Sequence, residues 1–231
     1  MIPVAILAGG VARRLGPITA ATPKSLVEVA GEPFISHQLQ LLRREKVEKV
    51  VLCVGHLGAA IRAFVGNGRA FGLDVRYSVE GKRLLGTGGA LRRALPLLGD
   101  AFMVLYGDSY LDIAFAPVLQ AFRSSGMPAL MTVFRNEGQW DKSNVIFDGP
   151  RVLRHDKRAR YPDMHHIDYG LGILKSEVFT GRANGEVFDL SEVYGVLAAA
   201  GQLAGYEVEQ RFYEIGSPSG LAESDAFLRK K

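Results

Sequence analysis

Disulfides, membrane spans and a strong charge of one sign are all missing from this sequence of 231 residues. It has one cysteine, Cys53, so no disulfide framework can hold it, which fits a reducing compartment. Cys53 lies in the apolar run Val50-Val51-Leu52-Cys53-Val54, where a small buried hydrophobe is the plain reading of a free cysteine. No apolar stretch approaches the roughly 20 residues of a membrane-spanning helix, and Met1-Ile2-Pro3 carries no basic leader segment. A cytoplasmic location and no membrane partner are therefore expected. The net charge is only +4, with no basic tail, so nucleic acid is not an expected partner, whereas a local anionic ligand is compatible. Three catalytic or nucleotide-binding signatures are absent as well. There is no G-x-x-x-x-G-K-[ST], the Gly9-Gly10 turn does not continue as G-x-G-x-x-G, and no G-x-S-x-G nucleophile elbow is available for a hydrolase. Internal repeats and a hexapeptide β-helix tail are missing too.

Through the first half, apolar runs and glycines alternate. Val4 to Leu7 is a short, wholly apolar strand ending in glycines, the pattern of a buried parallel strand. Pro33 suits the first turn of a helix, and Ile35, Leu39 and Leu42 follow at helical spacing. Lys49 to Val54 reads as a strand, Ile61, Phe64 and Val65 as a helix, and Val75, Tyr77 and Val79 as a half-buried strand. Leu91, Leu95 and Leu98 mark a further helix, and Phe102 to Tyr106 is an apolar strand ending at Gly107-Asp108. This order predicts an α/β fold of βαβ units with a mostly parallel sheet, whose ligands sit at the carboxyl ends of the strands. Beyond about residue 128 come short β-like runs: Ala129 to Phe134, Asn144 to Phe147, Val152 to Arg154 and Tyr169 to Leu174. A helix from Leu190 to Ala200, a strand near Phe212 to Ile215 and a closing helix from Pro218 complete the pattern. With no Pro/Gly/Ser-rich linker between them, the two halves read as one domain.

The stretch AILAGGVARRLG, Ala5 to Gly16, joins a buried strand to bare backbone and paired positive charge. A glycine turn at a strand end can aim N–H groups at phosphate oxygens. Arg14 and Lys24 add a guanidinium fork and a compact point charge, which together suit a polyphosphate.

Leu7-Ala8-Gly9-Gly10, Arg14-Leu15, Pro17, Thr19 and Pro23-Lys24 resemble the opening motif of the sugar-1-phosphate nucleotidylyltransferases. Tyr77-Ser78-Val79-Glu80, Leu85-Gly86-Thr87-Gly88-Gly89-Ala90, Gly107-Asp108 and Phe212-Tyr213-Glu214-Ile215-Gly216 follow in the family's order and span nearly the whole chain. The resemblance implies a Rossmann-like, GT-A-like nucleotidyltransferase fold, with a mostly parallel sheet flanked by helices and a small β-rich sugar-binding extension. It divides the domain, residues 1–231, into a nucleotide-binding half (about 1–128), a sugar-binding half (about 129–217) and a closing helix (218–231). By the same resemblance, Leu7, Ala8, Gly9 and Gly10 hold the nucleoside end and Arg14 grips the β and γ phosphates. Lys24 meets the α phosphate, and Gly86, Thr87, Gly88 and Gly89 line the base pocket. Asp108 and Glu214 hold Mg²⁺, Lys157 meets the sugar phosphate, and Glu80, Asn144, Asp168 and Gly170 contact sugar hydroxyls. The substrates implied are a nucleoside triphosphate and a sugar 1-phosphate, and the family habit implies a homodimer.

Several positions depart from the family pattern. Ala12 and Arg13 replace Gly-Thr, Ser25 replaces a frequent proline, and Glu214 replaces an aspartate. If position 12 requires a positive φ, alanine there costs about 1 kcal/mol. His165-His166 does not make one metal site, because adjacent strand residues face opposite ways; His166 is placed at the sugar pocket beside Asp168. Trp140, with Asp141-Lys142-Ser143-Asn144, is expected either in a loop over the sugar or in a plain packing role. The segments Leu85 to Ala90 and Gly107 to Tyr110 look most like the short guanylyltransferases that act on a manno-configured heptose 1-phosphate. The uridylyltransferases of N-acetylmuramic acid 1-phosphate and the mannose-1-phosphate guanylyltransferases are the alternatives within the family. A nucleotide-sugar-binding paralogue without turnover is the alternative from another class.

Overall fold

The structure, a computed structural model, describes residues 1–10, 22–81, 83–136, 138, 140 and 142–231. Its frame is four parallel strands, β1 (Val4–Leu7), β4 (Lys49–Val54), β5 (Asp74–Val79) and β6 (Ala101–Tyr106), in the order β6-β1-β4-β5. Between β1 and β4 lies a two-residue hairpin, β2 (Glu28–Val29) with β3 (Glu32–Pro33), which leads into helix α1 (Phe34–Arg44). Helices α2 (Gly58–Val65) and α3 (Gly86–Leu98) connect the later strands. Alternate residues of each strand face opposite sides, so the sheet has two cores. Ile6, Val50 and Leu52 pack with Ile35, Leu39, Leu42 and Ile61 of α1 and α2. Ala5, Val51 and Cys53 pack on the other face with Ala90, Leu91 and Ala94 of α3. Cys53 is thus the buried hydrophobe that its surroundings predict, and burial pushes its thiol up to about 12.

The short strand β7 (Ser109–Tyr110) follows β6, and helix α4 (Phe115–Ser125) follows β7. The sequence reading did not include α4, although Phe115, Val118, Leu119 and Phe122 recur at helical spacing and are all buried. The remaining elements are β8 (Ala129–Arg135), β9 (Val145–Phe147), β10 (Val152–His155), β11 (His166–Lys175), α5 (Leu190–Ala199), β12 (Leu203–Val208), β13 (Tyr213–Glu214) and α6 (Pro218–Leu228). Strand β11 runs antiparallel to β6 and so attaches the second half to the same sheet. It starts three residues before the expected Tyr169, where its first residues pair with β8 and β9. Strand β12, parallel to β8, was also missed; Gly205 interrupts its apolar pattern because a Cβ there would meet the Phe147 ring at 2.3 Å. Among the described residues, no helix is long and apolar enough to cross a membrane.

Candidate active site

Three adjacent parallel strands end in glycine, and the physical reason is close approach. The Gly107 N–H donates to Leu7 O at 3.0 Å, and a Cβ on Gly107 would stand 2.7 Å from that same oxygen. A Cβ on Gly9 would lie 3.0 Å from Gly55 N and 2.7 Å from Glu80 Oε2. Gly55, at the end of β4, is the member of this trio that the motif reading did not include. The turns after β1, β4 and β6 therefore pack backbone to backbone and leave a cleft of about 400 Å³ above them. Leu7, Ala8, Gly9, Gly10, Lys24, Glu80, Gly86, Thr87, Tyr106 and Asp108 are among its walls.

Charge sits at one side of this cleft. Lys24, on a single turn of 3₁₀ helix over Lys24–Leu26, places Nζ 2.6 Å from Asp108 Oδ2. The turn carrying Asp108 is clamped from below by Gln38, whose amide donates to Tyr106 O at 2.9 Å and Ser109 O at 2.8 Å. Gln38 is buried on the apolar stripe of α1. A glutamine between Ile35 and Leu42 was the sequence signal for such a role. Strand β7 pairs with β13, and the Ile215 N–H donates to Asp108 O at 2.9 Å, so the closing segment braces the same turn. Arg14 lies outside the described residues, as do Ala12 and Arg13.

Glu214, expected as a second metal ligand, is turned onto its own loop. Its Oε1 accepts from Ser217 Oγ at 2.7 Å and its other oxygen from the Gly216 N–H. It shapes the start of α6, and of these two carboxylates Asp108 is the one that lines the cleft.

Glu80 also stands elsewhere than expected. Apart from Asn144, Asp168 and Gly170, it is one of the walls of the cleft at the strand ends, with Oε1 accepting from Leu85 N at 2.9 Å. Burial raises its carboxyl above the usual range, against the opposing pull of the Leu85 N–H and Arg93. An acid raised by folding stabilises the fold fully below its unfolded pKa and loses that contribution as pH rises through the folded value. Glu80→Gln keeps an acceptor for Leu85 and removes the buried charge. Its melting temperature relative to wild type is therefore expected to rise between pH 4 and pH 7. Kinetics should show the KM for the nucleotide changing while that for the sugar phosphate holds, and the reverse pattern would return Glu80 to the sugar side.

Gly86, Thr87, Gly88 and Gly89 form the first turn of α3 and divide into two roles. Gly86 and Thr87 line the cleft. The N–H groups of Gly88 and Gly89 instead donate to Phe188 O at 3.0 and 3.3 Å. A Cβ on Gly88 would meet the Phe188 ring at 2.3 Å, and one on Gly89 the Glu186 carbonyl at 2.3 Å. These two glycines admit the segment before α5 rather than present N–H groups to a base.

The residues expected at the sugar gather at a bulge in β11, where the register with β8 shifts between Asp168 and Gly172 and Gly170 adopts φ +107°. Asn144 Oδ1 accepts from Asp168 N at 3.1 Å, and Asp168 Oδ1 from Gly170 N at 3.0 Å. Tyr106, absent from the motif reading, joins the two groups: it lines the cleft, and its hydroxyl lies 3.4 Å from Asp168 Oδ2. Lys157 Nζ stands 5.9 Å from the Tyr106 ring centre and 3.3 Å from Asp189 Oδ1. His166 is directed to Glu207 at 3.0 Å and to the edge of Phe147, instead of the Asp168 cluster. Trp140 stacks on the Arg211 guanidinium at 3.7 Å.

Comparison with known proteins places the chain in a family. The family model described as nucleotidyl transferase matches residues 4–143. The N-acetylmuramate alpha-1-phosphate uridylyltransferase of Neisseria meningitidis serogroup B is 31% identical over 228 residues, covering 96% of each chain. Several longer curated relatives are spanned over only 52–63% of their own length. Among solved structures, a Bacillus anthracis protein assigned as a glucose-1-phosphate thymidylyltransferase superposes with a TM-score of 0.86 at 21% identity, covering 100% of this chain and 96% of that one. HddC from Yersinia pseudotuberculosis, solved with GMP-PN, gives a TM-score of 0.79 at 20% identity, covering 99% and 100%. A parallel sheet with glycine turns at its strand ends, a lysine–aspartate pair in the cleft above and a family match over more than half its length make this chain a member of the nucleotidyl transferase family, an enzyme of the sugar-1-phosphate nucleotidylyltransferase kind.

Proposed function

We propose that the protein joins a nucleoside triphosphate to an N-acetylmuramic acid 1-phosphate, giving the nucleotide sugar and pyrophosphate, with UTP as the nucleotide. The observation that carries the reaction class is the Lys24–Asp108 pair in the cleft, with Lys157 beyond Tyr106 on the sugar side. The relative matched over 96% of its length supports the uracil nucleotide and the muramic acid acceptor. GTP with a manno-configured heptose 1-phosphate is the second reading, favoured by the motif spelling at Leu85 to Ala90 and Gly107 to Tyr110.

The attacking group is a phosphate oxygen that is already an anion, so the site needs no general base. It must hold two anions together and neutralise charge on the departing pyrophosphate, a task for positioned cations rather than proton transfer. Lys24 is assigned the α phosphate of a nucleotide seated over the Leu7 to Gly10 turn. Lys157 answers the acceptor phosphate, and Arg14 is assigned the β and γ phosphates. The nucleoside rests against Gly9, Gly86 and Thr87, which line the cleft. Members of this family generally use a divalent metal, and one aspartate at a phosphate cleft suits Mg²⁺, which is commonly held by one or two carboxylates plus substrate phosphates and water. Asp108 would hold Mg²⁺, which supplies Lewis-acid neutralisation of the phosphate oxygens when bound. Glu214 supports the turn behind Asp108.

Pyrophosphate release with Mg²⁺, measured for GTP, UTP, CTP, dTTP and ATP against N-acetylmuramic acid, heptose, mannose and glucose 1-phosphates, tests the assignment. The strongest response is expected with UTP and N-acetylmuramic acid 1-phosphate. A response confined to GTP with the heptose would select the second reading. Nucleotide binding with no turnover anywhere in the grid would favour a binding protein and overturn the enzymatic reading.

A further inference from the structure

The segment that Gly88 and Gly89 admit does more than fill space. Its Phe188 N–H donates to Leu85 O at 3.0 Å, while Phe188 O accepts from Gly88 and Gly89. Two residues on, the Leu190 N–H donates to Thr87 Oγ1 at 2.8 Å. Residues 188–190 are therefore fastened at both ends to the wall of the nucleotide cleft. Asp189 lies between these fastenings as the N-cap of α5, with Oδ1 accepting from Ser191 N at 2.8 Å and Glu192 returning the contact to the Asp189 N–H at 3.3 Å. The same Oδ1 faces Lys157 Nζ at 3.3 Å.

We propose that Asp189 is a positioning residue for the reaction: its cap-fixed carboxylate holds the Lys157 ammonium at a set distance from the nucleotide cleft, so that the acceptor phosphate meets a lysine already oriented. This rests on the reading of Lys157 as the sugar-phosphate contact.

Three features support it. The oxygen that meets the lysine is the one immobilised by the helix cap, so the lysine is anchored to a rigid point rather than to another mobile side chain. An ammonium carries three donors, and one bond to Asp189 leaves two for a phosphate. The pair is also half-exposed, 40% for Lys157 and 46% for Asp189, where an ion pair adds little to stability. Its geometric value lies in pre-organisation, because a long side chain held in place beforehand loses less freedom when the phosphate arrives. Burial alone would raise the Asp189 carboxyl, but the Ser191 hydrogen bonds and Lys157 hold it down to about 2, so it is charged throughout the working pH range.

Asp189→Asn separates the two roles of this residue, since asparagine caps a helix about as well as aspartate but lacks its charge. With UTP and N-acetylmuramic acid 1-phosphate, or the pair that responds most strongly in the substrate grid, D189N is expected to raise the sugar-phosphate KM by about tenfold. The nucleotide KM and the melting temperature should stay near wild type. Lys157→Gln should raise the same KM, and the double variant should be no worse than K157Q alone. An unchanged or lowered KM in D189N, equal changes in both KM values together with a lower melting temperature, or additive losses in the double variant would each overturn the proposal. An unchanged sugar-phosphate KM in K157Q would instead overturn the reading of Lys157 beneath it. A wild-type protein silent with every pair would remove the reaction, and any role of Asp189 in it.

Discussion

Replacing Lys24 by glutamine is expected to lower kcat by about a thousandfold, roughly 4 kcal/mol of transition-state stabilisation. Lys24 is only 16% exposed, and its ammonium lies in the cleft beside Asp108 at the mouth of β6. There a charge is less screened than in water, and in the proposed reaction it would act on oxygens whose negative charge grows as pyrophosphate departs. Glutamine retains most of the side chain's length and can still donate to Asp108, so what is removed is chiefly the charge. The pair is partly solvated, with Asp108 33% exposed, and the loss in stability should stay within about 1 kcal/mol. Single-turnover and steady-state rates at saturating substrates, beside a thermal melt, check both halves. A kcat within tenfold of wild type would remove Lys24 from the chemistry. A protein that merely bound nucleotide sugars would show a loss of affinity and no turnover to lose.

Gly89→Ala is expected to destabilise the fold by about 1–3 kcal/mol, the range of overpacking in a close-packed interior. Helix propensity alone argues the opposite, since alanine is favoured over glycine by about 1 kcal/mol inside a helix. The contact decides the sign: a Cβ at Gly89 would stand 2.3 Å from the Glu186 carbonyl, which is backbone and cannot rotate away. Relief requires the segment before α5 to move, and that segment carries Phe188 and Asp189. Gly195→Ala, within α5, is the control: its new Cβ meets only His155 O, at 3.6 Å. It should be neutral or stabilising by up to about 1 kcal/mol. Urea unfolding of both variants should give opposite signs. G89A should also lose kcat/KM towards both substrates if the proposed roles hold, because the displaced segment is bonded to Leu85 and Thr87 and carries Asp189, which faces Lys157. Equal, near-neutral effects would mean that Gly89 does not hold the close contact described.

Much of this molecule is legible along the chain because its signals are local. Apolar strands that end in glycine, helical spacing over Phe34 to Leu42 and the order of the motif segments all depend on residues close in sequence. Together they yield the parallel frame, the cleft at its carboxyl edge and the reaction class. Helix α4 was legible too, in the spacing of Phe115, Val118, Leu119 and Phe122, whereas β12 was obscured by a glycine whose reason is the Phe147 ring of another strand.

Tertiary structure decided what each polar group faces. Glu80 follows a strand and could point anywhere by sequence; the bare backbone of Gly9 and Gly55 leaves room for it in the cleft at the strand ends. Glu214 is expected by its motif as a metal ligand, and which groups its carboxylate meets, Ser217 Oγ and the Gly216 N–H, was set by the fold. Gly88 and Gly89 look like base-pocket residues, yet they make room for a segment roughly a hundred residues away in the chain. Gln38, Tyr106 and Asp189 carry no motif, because their partners are brought to them only by the packing of α1, β11 and α5. Sequence periodicity reports which side of an element is apolar, whereas hydrogen-bond partners distant in the chain are chosen only when the folded backbone places a donor opposite an acceptor.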